Sequence, residues 1–166
     1  MKELIEQEPI ADRGLITLIE QGKICQGIPG TTPLEVLTNI FHAIPVPAPV
    51  NRDVLLKAVL EREALMPTAI GHGIALPHPR NPLIIDPTEQ FVTIAFLQQP
   101  VDWKALDGNP VCTLLLIVSA SAKLHLHTLA RINFFCQQGS FRELLENRAS
   151  QGEIIAFIRK AEAAWR

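Results

Sequence analysis

Eight consecutive residues, Val111-Cys112-Thr113-Leu114-Leu115-Leu116-Ile117-Val118, are apolar but for one threonine. Along a strand, successive side chains point to opposite faces, so an unbroken apolar run needs cover on both sides. The run is far too short to span a membrane, which takes about 20 apolar residues in a helix. A chain carrying it must therefore supply two covering layers. Phe91-Val92-Thr93-Ile94-Ala95-Phe96-Leu97 reads as a second strand, rich in β-branched and aromatic residues, with Pro100 expected to end it. Ile74-Ala75-Leu76 is a shorter apolar run of the same kind, and Ile24 to Ile28 is a brief apolar segment before the turn at Pro29-Gly30.

The covering layers come from helical patterns between these runs. Leu15, Leu18 and Ile19 lie at helical spacing, with Gly22 expected to stop that helix. Thr31 or Thr32 can cap a helix opened by Pro33, with Leu34, Leu37, Ile40 and Phe41 toward the core. Pro45, Pro47 and Pro49 form an extended connector. Asn51 caps a helix from Arg52 to about Leu65, with Val54, Leu55, Ala58 and Val59 inward, and Met66-Pro67 stops it. Ser119 or Ser121 caps a long helix to about Gln137, expected to bury Leu126, Leu129, Ala130 and Phe134 before Gly139 breaks it. Phe141 to Glu146 is a short helix, and Gln151 to about Ala164 a last amphipathic one with Ile154, Ile155 and Ile158 inward. Strands alternating with covering helices argue an α/β layered fold, without giving the strand order.

A chain of 166 residues suits one domain with a real core, or one domain plus a short extension. Residues 1–13, acidic and lightly apolar, read as that extension, helical or frayed, ahead of a domain at 14–166. Hydrophobic residues make up 48% and charged residues 19%, which excludes a disordered chain, and a net charge of -2 gives no electrostatic case for nucleic acid. Cys25, Cys112 and Cys136 are odd in number and widely spaced, so they make neither a disulfide framework nor a CxxC metal pair. With no signal-peptide core near Met1 and no membrane-length apolar run, a soluble protein of the reducing cytoplasm is expected.

Chemistry concentrates in the stretch Thr68 to Arg80. Gly71 and Gly73 flank His72 and mark a turn or a close backbone approach. After Ile74-Ala75-Leu76 comes Pro77-His78-Pro79. Pro79 pushes His78 into an extended conformation, and neither proline has an N–H for a sheet, so pairing should lapse there. A titratable ring is thus fixed at the end of a buried strand. From these residues two readings stand, a nucleophile and a plain loop histidine. His125 and His127 open the long helix, where unpaired N–H groups favour anions. His127 shares a face with Arg131 as a solvated pair, whereas His125 shares one with Leu129 and reads equally as a partly buried core histidine. Arg62, beside Glu63 at a helix end, reads equally as a surface arginine. Trp103 reads as a packing residue. No HExxH, Cys/His zinc pair, P-loop, GxSxG elbow or GxGxxG spacing is present, so no metal or cofactor is called for.

Together these pieces carry more than any one of them. Arg62-Glu63, Thr68-x-Ile-Gly-x-Gly-Ile-Ala-x-Pro-His78, Val101-Asp-Trp103, Leu106-Asp-Gly108, Pro110-Val111, and His125-Leu126 with Leu129-Ala130 resemble the IIA domain of the bacterial phosphoenolpyruvate-dependent sugar phosphotransferase system. The branch is the fructose/mannitol type, which includes the nitrogen-regulatory IIA proteins. The resemblance runs from about Leu15 to the C-terminus. It implies a single α/β domain with a mixed five-stranded sheet flanked by helices on both faces. It also implies a phosphocarrier, with His78 accepting a phosphoryl group and His125 and Arg62 completing the site. The implied donor is a histidine-phosphorylated carrier protein, and the acceptor a IIB domain or a regulatory target. The rival functions are a non-catalytic regulatory interaction module, such as the IIA portion of a DNA-binding regulator that carries a similar His-Pro-Arg-Asn-Pro run, and a metal-binding protein using the histidines. Two residues depart from the family pattern. Pro79 stands where relatives have glycine and removes an N–H, for which Arg80 could compensate. His72 stands where Asn or an acidic residue is usual, and is expected to bring an extra titratable group near the site.

Overall fold

The computed structural model describes residues 14–164, so the expected extension at 1–13 lies outside the described residues. Among the described residues six helices surround a five-stranded mixed sheet: α1 (Leu15–Gly22), β1 (Ile24–Ile28), α2 (Pro33–Ala43), α3 (Arg52–Leu65), β2 (Ala69–Gly71), β3 (Ile74–Ala75), β4 (Phe91–Val101), β5 (Val111–Val118), α4 (Ala122–Cys136), α5 (Gly139–Glu146) and α6 (Gln151–Ala163). The strand order is β1-β4-β5-β3-β2. β1 runs parallel to β4 and β3 parallel to β5, while β4–β5 and β2–β3 are antiparallel.

β5 is central and covered on both sides, as its apolar run requires. Val111, Leu114, Leu116 and Val118 enter the core shared with α2 and α3. Leu115 and Ile117 enter the opposite core, built on α1, α4, α5 and α6. β4 alternates likewise, with Phe91, Ala95 and Leu97 on the first side and Val92, Ile94 and Phe96 on the second. The helix starts follow local chemistry: the side chains of Thr32, Asn51 and Ser121 accept N–H groups from Glu35, Val54 and Leu124, respectively.

Several expectations are corrected by packing. β4 runs on through Pro100 to Val101 instead of ending there. The register shifts between Phe96 and Val101, and the exposed Gln98-Gln99-Pro100 segment tolerates a residue with no N–H. In α2 Leu34 is exposed and Val36 takes its place in the core. In α3 Leu55 and Val59 are buried but Val54 is exposed. In α4 the buried residues are Thr128, Ile132, Phe135 and Cys136, while Leu126, Ala130 and Phe134 face out. α1 ends at Gly22, but the left-handed stop position is Lys23, at φ 69°. β2, not anticipated as a strand, pairs with β3 as a hairpin.

Candidate functional site

The end of β3 carries the site. Leu76 donates its N–H to the Thr68 carbonyl at 3.0 Å, and the Pro77 carbonyl accepts the Ile117 N–H at 3.0 Å. The ladder therefore lapses at the prolines, as expected, but one bond to β5 still anchors the chain there. His78 follows, half-buried, held from both sides by prolines that fix the backbone. Its Nδ1 lies 2.8 Å from the Leu76 carbonyl oxygen. A carbonyl only accepts, so Nδ1 carries the proton and the lone pair of the neutral ring sits on Nε2.

His125 meets His78 with ring centroids 4.5 Å apart and planes tilted by 40°. It stands in the first turn of α4, its own N–H donated to Ser121 O at 3.0 Å. A recess of about 240 Å³ is lined by both rings together with Arg80, Ser119 and Ala122. The N-terminus of α4, its positive dipole end, thus opens onto the same recess as the His78 ring. Arg62, in the last turn of α3, lines a second recess of about 220 Å³ that also reaches His78 and includes Thr68 and Asn133. Its Nη1 donates to Met66 O at 2.7 Å, which steadies the guanidinium at the helix end. The three residues singled out from the sequence, His78, His125 and Arg62, are brought together.

Burial and neighbouring charge disfavour the protonated form of both rings. Burial lowers the His78 pKa, the Leu76 carbonyl opposes that, Arg62 lowers it further and Glu63 raises it. Burial, then His78 and Arg62 nearby, pull His125 from 6.5 down to about 4. The unfolded chain therefore binds more protons than the folded one between these two values, and stability must fall as pH drops from 6.5 toward 4. The full shift would correspond to ~3 kcal/mol, and for a half-exposed ring on the order of 1–2 kcal/mol is expected. Urea unfolding at pH 7 and at pH 4.5 checks it: the loss of stability on acidification should be smaller in His125→Gln than in the wild type by about that amount.

His72 lies elsewhere. It occupies the β2–β3 turn at φ 57°, and its N–H donates to Asp107 Oδ2 at 2.9 Å. It lines neither recess that contains His78: β3 and Pro77 separate the two residues. Asp107 also accepts the Asn109 N–H, and these N–H groups hold its carboxyl below the usual carboxylate range. The motif pieces around Gly71 and Asp107 thus clamp a turn. Trp103 is buried in the core of the α2–α3 side, a packing residue as expected. Pro79 is buried beside His78, and Arg80 is exposed at the rim of the first recess. Two residues had no role assigned from the sequence. Glu63 grips Thr68 through both carboxylate oxygens, and Asn133 sits two helical turns beyond His125; only the Glu63–Pro67–Thr68 spacing, a carboxylate facing a chain reversal, signals the first. Among the described residues no group of three or more His, Cys, Asp or Glu side chains is placed to hold a metal, and no helix is long and apolar enough to cross a membrane.

Residues 32–161 match the family model of the phosphoenolpyruvate-dependent sugar phosphotransferase system, EIIA 2. The chain belongs to this family. It is 37% identical over 84 residues to a nitrogen regulatory protein of Bradyrhizobium diazoefficiens, covering 49% of this chain and 53% of that protein. It spans only 17% of a fructose-specific EIIABC component from Bacillus subtilis, to which it is 29% identical over 110 residues. The fold matches the nitrogen regulatory protein IIA-Ntr of Neisseria meningitidis with a TM-score of 0.71 at 21% identity, over 89% of this chain and 97% of the other. It also matches the mannitol enzyme IIA of Escherichia coli, solved in complex with phosphorylated enzyme IIB, with a TM-score of 0.59 at 18% identity over 80% and 93% of the two chains. The mixed five-stranded sheet between two helical layers is thus the IIA fold, and the paired histidines stand at the end of its third strand.

Proposed function

We propose that this IIA domain is a phosphocarrier in which His78 takes a phosphoryl group at Nε2 from a histidine-phosphorylated carrier protein. The phosphoryl group then passes to a IIB domain, or its presence is read by a regulatory target. The observation that carries the reading is the bond from His78 Nδ1 to Leu76 O, which leaves Nε2 as the nucleophilic nitrogen in a recess shared with His125. As Nε2 attacks, a nitrogen–phosphorus bond forms here while the donor's breaks, and the donor imidazole leaves with the bonding electron pair. The His78 ring gains positive character, which the Leu76 carbonyl stabilises through Nδ1–H. Transfer of this kind depends on in-line positioning and on neutralising the phosphoryl oxygens. The cationic Arg62, the neutral His125 as an N–H donor, and the α4 N-terminus can each serve those oxygens. The mannitol IIA solved with phosphorylated IIB supports a IIB-like acceptor, and the nitrogen-regulatory relatives support a signalling output.

The test is direct. The full chain, incubated with phosphoenolpyruvate, enzyme I and the carrier protein, should gain one acid-labile, base-stable phosphoryl group, seen by intact mass spectrometry. No adduct with any carrier tested would favour a non-catalytic interaction module.

A further inference from the structure

Three consecutive contacts lead from α3 to the reactive ring. Glu63, in the last turn of α3, accepts the Thr68 N–H on Oε2 at 2.6 Å and the Thr68 hydroxyl on Oε1 at 2.6 Å. The Thr68 carbonyl accepts the Leu76 N–H at 3.0 Å. The Leu76 carbonyl accepts His78 Nδ1–H at 2.8 Å. Thr68 is buried, so both arms of the Glu63 grip work in a poorly solvated place, where charge-assisted hydrogen bonds are strong. We propose that Glu63 is a positioning residue for His78, clamping Thr68 so that the Leu76 carbonyl is held at Nδ1 and the Nε2 lone pair faces the recess.

The reasoning is mechanical. Thr68 lies between the end of α3, with Pro67 before it, and the first residue of β2. β2 is three residues long and β3 two, so the hairpin has few ladder bonds of its own to fix where Leu76 sits. A carboxylate bound to both the N–H and the hydroxyl of one residue fixes that residue's orientation as well as its position. The next link then inherits it. The charged groups around the ring are Arg62 and Glu63 from α3 and Arg80 on its own segment, with His125 from α4 as the titratable partner. Glu63 is the single anionic member of that set, so it both steadies the backbone and offsets part of the positive surroundings.

This inference rests on His78 being the acceptor, but its decisive readout does not require phosphoryl transfer. Nitrogen-15 NMR of the histidine rings in the full-length chain reports which ring nitrogen carries the proton. In the wild type His78 should be the Nδ1–H form throughout the neutral range. Glu63→Ala should produce a mixture of tautomers, with the remaining amide spectrum that of the wild type outside residues 62–78. Glu63→Gln should keep the Nδ1–H form, since its amide oxygen still accepts the Thr68 N–H. With the negative charge gone, it should also lower the pH at which His78 titrates. If the carrier assay works, Glu63→Ala should reduce the transfer rate on the order of 10²-fold, the scale of a misplacement of about 1 Å, with little change in the donor concentration for half-maximal rate. An unchanged tautomer in Glu63→Ala overturns the proposal. Should that variant fail to fold, Thr68→Val decides, since it deletes only the hydroxyl arm: a partial tautomer mixture supports the clamp and an undisturbed ring overturns it. A wild-type chain that takes up no phosphoryl group would instead overturn the phosphocarrier reading and leave the tautomer measurement standing.

Discussion

His78→Ala is expected to remove the phosphoryl adduct completely, whereas His125→Ala and Arg62→Ala should each retain it and form it more slowly. The distinction follows from what each group supplies. On the proposed reading Nε2 of His78 is the atom to which the phosphorus bonds, its lone pair left available because Nδ1–H is tied to Leu76 O. No other residue lining the first recess except His125 has an imidazole nitrogen to offer. His125 is held neutral, down to about 4, by burial and by its two positive-leaning neighbours, so it enters as a hydrogen-bond donor and not as a cation. Removing one preorganised donor from a developing anionic centre costs on the order of 10²–10³-fold in rate. Arg62 carries the fixed positive charge, and its loss should cost at least as much while also raising the pKa of both rings, since its charge lowers them. Rapid-quench measurement of adduct formation against carrier concentration separates the three variants. An undiminished adduct in His78→Ala would overturn the site assignment, and a complete loss in His125→Ala would transfer the acceptor role to that ring.

What could be read from the sequence divides along the range of the interactions involved. Helix starts at Thr32, Asn51 and Ser121 were legible because a cap is a contact between a side chain and an N–H three residues on. β5 was legible because burial on both faces leaves no polar alternation to misread. The buried face of α4 was not, because that helix carries two apolar stripes. Leu126, Ala130 and Phe134 recur at helical spacing, and so do Thr128, Ile132, Phe135 and Cys136; packing against β5 and α5 chooses the second. The site shows the same division. The prolines around His78 act on their neighbours and declare a rigid ring in advance. Its tautomer is set by a carbonyl whose own position depends on Thr68 and Glu63, across a hairpin that the sequence does not announce. His72 was expected near the ring from its place in the motif, between Gly71 and Gly73. A hairpin turn at one end of β3 and a histidine past the other end face different ways.

Gly22→Ala is expected to destabilise the protein more than any other single-methyl addition at its described glycines. The last turn of α1 lies directly on β4, and a Cβ at Gly22 would fall 2.1 Å from the Val92 carbonyl oxygen, 2.4 Å from its carbon and 2.9 Å from the Thr93 nitrogen. All three are backbone atoms of a strand buried on both faces, so no side chain can swing away. The Gly22 carbonyl also accepts the buried Thr93 hydroxyl at 2.8 Å, a bond that holds only while the helix stays close. Relief requires α1 to lift off the sheet, pulling Leu15, Leu18 and Ile19 out of their core. Overpacking usually costs about 1–3 kcal/mol, and a clash with fixed backbone belongs at or above the upper end. For a chain of this size ~3 kcal/mol lowers the melting temperature by about 6–12 °C. The control is Gly152→Ala in the first turn of α6, where the nearest atom is a side-chain oxygen at 3.9 Å. There the methyl has room and the backbone is helical, so the change should be neutral or raise stability by up to ~1 kcal/mol. Thermal unfolding of the two variants side by side reads the difference directly. Equal melting temperatures would mean that α1 does not hold its place on β4. A large loss confined to Gly22→Ala would show that this glycine serves close packing, with Lys23, one residue later, taking the left-handed turn that ends the helix.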